Sequence, residues 1–189
     1  MKTFENLIKA YIGESQARNR YTFYASIARK EGYEQIAEIF EITAMNEKEH
    51  AEVFFELAQS FKKDLNEITI ETLAPLTLGN TIDNLKAAIA GEHYENSLLY
   101  PEFAKIAREE GYEQISRRIE AIINAEKHHE ERYKKILELM ETGKFFKRDA
   151  PIVWMCRKCG YLHFGKEPPE KCPSCGHSKS FFQRLCEEY

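Results

Sequence analysis

The sequence lacks cysteine over residues 1–155, and all five of its cysteines lie within the last 34 residues. No run approaches the roughly 18 consecutive apolar residues that a membrane-spanning helix needs. The first residues, Met1 to Asn6, lack the apolar stretch of a signal peptide. These absences predict a cytoplasmic protein without a membrane partner. In such a reducing compartment, clustered thiols indicate metal ligands rather than disulfides.

An excess of positive charge is also missing. The chain carries 27 Lys and Arg against 31 Asp and Glu, a net charge of −4. Proteins that bind nucleic acid or membrane surfaces through charge need surplus basic residues to neutralise phosphate. The balance therefore excludes a polybasic protein, and no nucleic-acid partner is expected. The content of 43% hydrophobic and 31% charged residues is typical of a globular chain and argues against disorder.

The composition changes near residue 150. Four of the six prolines, all the cysteines and the single tryptophan, Trp154, lie beyond this point. A chain of 189 residues is long enough for one good core and a small appendage. The sequence therefore predicts a large unit over residues 1–141, a linker over 142–151 and a small unit over 152–189.

Four long segments of the large unit have apolar residues at every third or fourth position, which predicts amphipathic helices. The predicted helices are Phe4 to Lys30, Glu34 to Lys62, Thr81 to Glu110 and Tyr112 to Met140. Short joints at Gly32 and Gly111 connect the members of each pair, while residues 64–80 are long enough to cross the bundle. The expected fold is mainly α, an antiparallel four-helix bundle.

The two helix pairs are related by an internal repeat. The six residues from Glu31 to Ile36 recur letter for letter from Glu110 to Ile115, 79 residues later. Each copy is preceded by Gly-Glu and followed by Glu-x-x-His. The repeat preserves polar residues along with the apolar frame, which suggests that the polar residues have a role.

Seven polar side chains interrupt the apolar stripes of the four helices. They are Glu14, Glu47, His50, Glu92, Glu95, Glu126 and His129. Burial of even one uncompensated carboxylate costs several kcal/mol, so five in one cross-section require a positive charge among them. Oxygen ligands with two imidazoles suit a pair of iron or manganese ions. The Glu and His of each Glu-x-x-His lie on one helix face and can share a metal.

A single Glu-x-x-His on a charged helix is usually exposed and without function, but its duplication at matching spacing favours a metal site. One Glu from each of two helices and Glu-x-x-His from the other two is the pattern of ferritin-like dimetal bundles. That set is complete without Glu95, which on spacing alone is either a neighbour of the ligands or a carboxylate at the edge of the core. Other glutamates, such as Glu34, Glu38, Glu49 and Glu52, are predicted to be surface charges.

Two C-x-x-C knuckles form the core of the small unit. Their cysteines are Cys156, Cys159, Cys172 and Cys175, with twelve residues between the knuckles. Four thiolates in this arrangement bind one metal ion, and the spacing alone leaves zinc and iron open, with zinc the commoner. Five aromatic residues are predicted to pack around the site: Trp154, Tyr161, Phe164, Phe181 and Phe182. Cys186 is left over, and no role is expected for it.

Taken together, these motifs resemble the rubrerythrin family, in which a ferritin-like bundle precedes a rubredoxin-like domain. The resemblance implies that Glu47 and Glu126 bridge two irons, that Glu14 and Glu92 are terminal ligands and that His129 binds one iron. It further implies that the other iron exchanges Glu95 for His50 on reduction. Tyr21 and Tyr100 resemble the tyrosines that hydrogen-bond near these ligands. The four cysteines would hold a third, mononuclear iron.

The resemblance also implies an activity, the reduction of hydrogen peroxide to water. Electrons would reach the di-iron site through the rubredoxin-like iron from an NAD(P)H-dependent rubredoxin or flavoprotein reductase. The distance from the end of the last helix to the metal ligands favours a head-to-tail homodimer. Two alternatives are ferritin-like iron oxidation and storage, and a zinc-ribbon binding module on a structural bundle.

Overall fold

The computed structural model describes residues 1–187. Five α-helices form the bundle: α1 Lys2–Lys30, α2 Glu34–Gln59, α3 Thr81–Tyr94, α4 Tyr100–Glu109 and α5 Glu113–Glu141. A π-helical turn, Glu95–Leu99, joins α3 to α4, so that α3 and α4 together form the third rod of a four-rod bundle. Within residues 1–187, no helix is both long and apolar enough to span a bilayer.

The predicted helix from Thr81 to Glu110 is not continuous, and in this respect the sequence prediction is wrong. The Tyr100 N–H donates to the Glu95 carbonyl, five residues back instead of four. Pro101 has no N–H, so the regular hydrogen-bond ladder cannot continue through it. The helix widens by one residue just before the proline, and Glu95 begins this wider turn. π-Turns inside α-helices are frequent at functional sites.

The end of α1 at Lys30, the start of α2 at Glu34 and the start of α3 at Thr81 are as predicted, and the other helix bounds differ from prediction by one to three residues. α2 ends at Gln59 instead of Lys62, and the chain then reverses through Lys63, which has a positive φ of 49°. α1 begins at Lys2, two residues before the predicted start. Residues 60–80 connect α2 to α3 without a helix or a strand.

The internal repeat is visible as reciprocal capping between the two helix pairs. Glu31, at the end of α1, accepts a hydrogen bond from the Thr81 N–H at the start of α3. Glu110, its equivalent in the second copy, accepts from the N–H groups of Lys2 and Thr3 at the start of α1. Each glutamate thus satisfies N–H groups that would otherwise be unpaired at a helix start in the other repeat. Because α1 begins beside Glu110 and ends at Glu31, the α4–α5 turn and the α1–α2 turn lie at opposite ends of the bundle.

The bundle core consists of two apolar clusters. One contains Tyr21, Tyr24, Phe40 and Tyr133, and the other contains Leu7, Phe54, Tyr100, Phe103 and Ile119. On each helix, the predicted metal ligands lie between residues of the first cluster and residues of the second. The polar layer is therefore enclosed by apolar packing on both sides, which excludes water from it.

The C-terminal unit is a three-stranded antiparallel sheet in the order β2-β1-β3, with β1 Ile152–Cys156, β2 Leu162–Gly165 and β3 Phe182–Arg184. A short 3₁₀ turn, Lys179–Phe181, leads into β3. Trp154 and Phe182 are buried in its core with Cys156 and Cys172, as predicted for the two aromatics. Phe164 is 71% exposed on the edge strand β2, so its assignment to the core is wrong.

Candidate metal centres

Four helices bring the predicted bundle ligands into one buried layer. Glu14 comes from α1, Glu47 from α2, Glu92 from α3 and Glu126 from α5, and each of these side chains is at most 1% exposed. The two histidines follow one turn after the glutamates of α2 and α5. The i, i+3 spacing predicted from sequence therefore places each Glu–His pair on the inward face of its helix.

The ligand atoms fall into two groups, in each of which they lie within 4.8 Å of one another. One group consists of Glu14, Glu47, His50 and Glu126, and the other of Glu47, Glu92, Glu126 and His129. Glu47 and Glu126 belong to both. Two cation positions that share two carboxylates can thus lie side by side in this layer.

The first histidine of the layer directs Nδ1 at the shared carboxylates. His50 Nδ1 lies 3.0 Å from Glu47 Oε2 and 2.8 Å from Glu126 Oε1. Its side chain is 14% exposed, and it is the more accessible of the two imidazoles.

The second histidine has the corresponding arrangement in the other group. His129 Nδ1 lies 2.9 Å from Glu126 Oε2, 3.2 Å from Glu47 Oε1 and 3.4 Å from Glu92 Oε2. In both groups, the imidazole nitrogen and the carboxylate oxygens converge on one position that a metal ion would fill.

Two buried tyrosines each orient a carboxylate that belongs to only one of the two groups. The Tyr21 hydroxyl donates to Glu92 Oε1 at 2.5 Å, and the Tyr100 hydroxyl donates to Glu14 Oε1. These two tyrosines occupy equivalent positions in the internal repeat, and each binds the glutamate of the other copy. In each pair, the second carboxylate oxygen is left facing the metal layer.

The buried carboxylate oxygens provide a test of whether a metal pair fits. Glu14 Oε2 has no hydrogen-bond partner among residues 1–187, and Glu92 Oε2, Glu47 Oε1 and both oxygens of Glu126 are approached only by a histidine Nδ1, at 2.8 to 3.4 Å. Unpaired buried carboxylate oxygens are strongly unfavourable unless a cation compensates them. Oxygen-rich ligation completed by two imidazoles suits iron or manganese, so the residues fit the expected pair.

Glu95 lies outside both groups. It begins the π-turn, and its Oε1 lies near α1, 4.0 Å from the position that a Cβ on Gly13 would occupy. Burial, followed by the charges of Glu126 and Glu47, raises the pKa of Glu95 well above its usual value. The structure therefore brings six of the seven predicted side chains into the two groups and places the seventh beside them.

The electrostatics of the metal-free layer divide the acids into two kinds. Burial raises the pKa values of Glu14 and Glu92 well above the usual range, with neighbouring carboxylates adding to the effect. Burial also acts to raise the pKa of Glu126, but hydrogen bonds from His129 and His50 outweigh it and lower that pKa to about 2. Without metal, the shared carboxylate Glu126 is ionised, and the terminal acids are held towards their protonated forms.

The two imidazoles are protonated in the metal-free protein. Burial lowers their pKa values, but hydrogen bonds to Glu126 and Glu47 outweigh it and raise the pKa of His50 to about 10 and that of His129 to about 12. At neutral pH the positive charges of both rings therefore partly compensate the carboxylates when no metal is bound. A metal pair must displace these protons to gain the nitrogen ligands.

Metal binding should therefore release protons, and metal affinity should rise with pH. At pH 7 we expect on the order of two to four protons released per metal pair, from the two imidazolium rings and the protonated terminal carboxyls. The affinity should increase to about pH 10, where His50 loses its proton unaided, and further to about pH 12, where His129 does so. Calorimetric titration of metal-free protein with Co²⁺ in buffers of different ionisation enthalpy measures this number. An enthalpy independent of the buffer would contradict the assignment.

The four cysteines of the knuckles also converge. Their sulfur atoms lie within 4.8 Å of one another, with 3.8 Å between Cys156 and Cys175 and 3.6 Å between Cys159 and Cys172. Gly160 and Gly176 follow the knuckles with φ values of 75° and 74°, a conformation that favours glycine. This site fits one tetrahedral metal ion. Cys156 and Cys172 are buried, whereas Cys159 is exposed.

The fifth cysteine has no place in this site. Cys186 is exposed and lies outside the four-sulfur group.

One ligand thiol has a lowered pKa. Hydrogen bonding, led by the backbone N–H of Tyr161, lowers the pKa of Cys159 to about 6. The ligand thiol is therefore favoured as a thiolate even before metal binds.

Sequence reasoning missed a buried pair that lies next to the ligands. Asn96 Nδ2 donates to Glu130 Oε2 at 2.6 Å, and both side chains are at most 5% exposed. Asn96 directly follows Glu95, and Glu130 directly follows His129. The pair ties the π-turn to α5 and so fixes the spacing between ligands of different helices. The one available signal is that Asn96 lies four residues after Glu92, on the same helix face.

Known proteins match this chain over both units. The Rubrerythrin family profile matches residues 5–137, and the profile for the rubrerythrin rubredoxin-like domain matches residues 154–183. Rubrerythrin-1 of Clostridium acetobutylicum is 47% identical over 189 residues, covering 100% of this chain and 96% of that protein.

Solved structures agree with this result. A mixed-valence structure of nigerythrin is 34% identical, with a TM-score of 0.65, covering 97% of this chain and 86% of that one. A Desulfovibrio desulfuricans bacterioferritin is similar in fold alone, at 23% identity and a TM-score of 0.68, covering 76% of this chain and 82% of that one. The chain therefore belongs to the rubrerythrin family, with a ferritin-like di-iron centre in its bundle and a rubredoxin-like iron centre on its four cysteines.

Proposed function

We propose that the protein is a peroxidase that reduces hydrogen peroxide to two waters and so protects the cell against oxidative stress. The observation that carries this proposal is the presence on one chain of a buried carboxylate–histidine dimetal site and a four-cysteine site. The reaction consumes two electrons and two protons for each peroxide. The first site is suited to hold substrate, and the second is suited to receive electrons from outside.

The bundle ligands would divide their roles according to the two groups. Glu47 and Glu126, which belong to both groups, would bridge the metals, while Glu14 and Glu92 would be terminal ligands. Two ferrous ions there would supply both electrons that one peroxide requires.

The histidines and the remaining glutamate complete the proposed ligand set. His129 would bind one metal and His50 the other. Glu95, partly buried beside the His50 group, is the proposed alternative to His50 for the same metal in the oxidised state. Its place at the start of the wider π-turn is compatible with such a movement.

Tyr21 and Tyr100 are proposed to position the terminal carboxylates and hold protons close to the reaction. Each hydroxyl donates to one oxygen of a ligand and leaves the other oxygen free for metal. Because both tyrosines are buried, these hydrogen bonds are not weakened by competition with water. They fix the orientation of Glu92 and Glu14 before substrate arrives.

The four-cysteine site is proposed to relay electrons one at a time to the bundle. Four thiolates hold iron in a centre whose reduction changes its charge by one unit. Exposure of Cys159 gives an external donor access to this centre. The proposed donor is a rubredoxin or flavoprotein reductase that draws on NAD(P)H.

The proposal is tested by anaerobic reduction followed by titration with hydrogen peroxide. Fully reduced protein should consume peroxide without releasing oxygen, and the visible absorption of the ferric four-thiolate centre should return as peroxide is added. Colourless protein containing one zinc per chain would instead support a structural ribbon. Assembly into a cage of many subunits with mineralised iron would support iron storage.

We propose a head-to-tail homodimer as the working assembly. Several leucines of residues 64–80 are exposed, with Leu73 at 77%, Leu76 at 91% and Leu78 at 63%. A set of exposed apolar side chains in one segment is typical of an interaction surface. Sedimentation should give twice the chain mass, and a monomer with full peroxidase turnover would contradict the proposal.

We also propose a cytoplasmic location, since the thiol ligands need a reducing compartment. The proposed units are residues 1–141, a linker over 142–151 and residues 152–189. Residues 188–189 lie outside the described residues. The proposed boundary agrees with the end of α5 at Glu141 and the start of β1 at Ile152.

A further inference from the structure

The four-cysteine domain contacts the bundle at the end where α1 turns into α2. Arg157, between the two cysteines of the first knuckle, forms an ion pair with Glu38 on α2. The Arg157 side chain is 15% exposed and also donates to Gln183 on β3, which holds it against its own domain. Ser180 lies against Gly32, 3.7 Å from the position that a Cβ there would occupy. The metal-binding knuckle itself therefore meets the bundle.

The facing surfaces carry opposite charge. A cleft of about 220 Å³ separates them, with Arg157 and Lys158 on one side and three acids of α2 on the other, Glu34, Glu38 and Glu41. Arg29 of α1 already pairs with Glu34 and with Glu41. Glu38 is therefore the acid of this face that remains to pair with the knuckle.

The internal repeat provides a natural comparison at the opposite end of the bundle. There, Arg108 pairs with Glu113 and Glu120, just as Arg29 pairs with Glu34 and Glu41. The residue 79 positions after Glu38, however, is Arg117, which pairs with Glu113. The two ends thus share one ion-pair pattern but differ in the sign of the charge at the docking position.

We propose that Glu38 holds the four-cysteine domain docked on the end of the bundle where the linker places it. α5 is about 43 Å long at about 1.5 Å per residue, and the ten linker residues span at most about 33 Å, so the chain cannot carry this domain to the other end. The equivalent surface at that other end carries Arg117, which would meet the basic knuckle with a like charge and so lacks the acid that docking uses. The inference deepens the proposed function, because the docking position sets where electrons approach the bundle. From Glu38, α2 runs nine residues to the ligand Glu47, about 14 Å at about 1.5 Å per residue.

Charge reversal at Glu38 tests the proposal on the metal-loaded full chain. In Glu38→Arg the docking equilibrium constant should fall about tenfold at low salt, because a repulsive pair replaces an attractive one. The matched control is Glu56→Arg, which makes the same charge change at an exposed position of the same helix. Small-angle X-ray scattering should show a larger maximum dimension for Glu38→Arg than for the control.

A carbodiimide cross-link gives a second measure of docking. Lys158 shares the cleft with Glu34 and Glu41, which Glu38→Arg leaves in place. The rate at which Lys158 cross-links to these acids should be lower in Glu38→Arg than in Glu56→Arg, because a smaller fraction of the four-cysteine domain is docked. The double variant Glu38→Arg/Arg157→Glu should restore both the cross-linking rate and the dimension, since it restores the opposite charges.

Equal cross-linking rates in Glu38→Arg and Glu56→Arg, or no rescue by the double variant, would overturn the proposal. Neither measurement depends on peroxide turnover, so a wrong reaction leaves this result unaffected. If the proposed function also holds, rapid mixing of reduced Glu38→Arg with peroxide should show slower reoxidation of the four-thiolate iron than in Glu56→Arg. The double variant should recover the rate.

Discussion

Replacement of Glu126 by alanine should empty the dimetal site and reduce peroxide turnover by more than about 100-fold. Loss of an outer partner of a metal ligand costs about 10–100-fold in affinity or activity, and loss of a shared ligand should cost more. Glu126 belongs to both ligand groups, and each of its two buried oxygens faces the Nδ1 atom of one of the two histidines. Its removal therefore weakens both metal positions together.

The same change alters the metal-free layer in a predictable direction. Glu126 is the acid nearest to both imidazoles, at 2.8 Å from His50 and 2.9 Å from His129. Its hydrogen bonds are the leading influence that raises the pKa values of these histidines against burial. In Glu126→Ala both pKa values should fall, and a proton titration of the histidines by NMR in metal-free protein measures this shift.

Glu131→Ala is the matched control, because it removes an exposed carboxylate from the same helix. Metal analysis, Co²⁺ binding and peroxide consumption should be unchanged in the control and reduced in Glu126→Ala, with helical content preserved in both. Two bound irons per bundle and undiminished turnover in Glu126→Ala would show that the site has been misassigned.

The ligand layer could be predicted because the chain contains an internal repeat, whose two copies can be compared with each other. Glu47 and His50 recur as Glu126 and His129 at the same spacing, and an amphipathic helix places such pairs inward wherever its apolar stripe is buried. Predicting this set required no knowledge of how the two helix pairs meet. The reciprocal capping by Glu31 and Glu110 does depend on that meeting, since each crosses from one repeat to the other.

The features missed from sequence are those in which distant residues or backbone geometry decide the outcome. The apolar pattern continues through Glu95 to Leu99, so periodicity predicts an unbroken helix, while the absent N–H of Pro101 favours a π-turn. The Asn96–Glu130 hydrogen bond joins residues 34 apart in sequence. No residue close to Asn96 or Glu130 in sequence indicates that these two side chains pair.

Glu38 illustrates the same limit for surface charge. It was expected to be an ordinary surface glutamate, and its side chain is 50% exposed. Its partner Arg157 lies 119 residues away, on a separate domain. Composition and spacing do not distinguish a half-exposed charge at a domain interface from any other surface charge. An exposed ion pair of this kind contributes little to stability, although it can still specify the interface. The equivalent position at the opposite end of the bundle carries Arg117, so the two ends differ in the sign of the charge at this position.

Replacement of Cys159 by serine should separate the electron relay from the peroxide chemistry. Cys159 is the exposed ligand of the four-cysteine group and lies in the knuckle that meets α2. Serine is a poor substitute for a thiolate, so the ferric four-thiolate absorption should be lost or strongly changed. Turnover driven by an external donor should fall more than about 100-fold, as expected when a ligand rather than an outer partner is removed.

The bundle of Cys159→Ser should remain competent, because its ligands lie on α1, α2, α3 and α5 and none is contributed by the C-terminal sheet. Chemically reduced variant should therefore still consume one equivalent of peroxide per di-iron site, once, and then stop. Cys186→Ser is the control, since that thiol is exposed and outside the group, and it should sustain full turnover. Sustained donor-driven turnover in Cys159→Ser would mean that electrons enter the bundle without the four-cysteine iron. Failure of the single chemical turnover, with the bundle still folded and metal-loaded, would mean instead that the two sites are not independent.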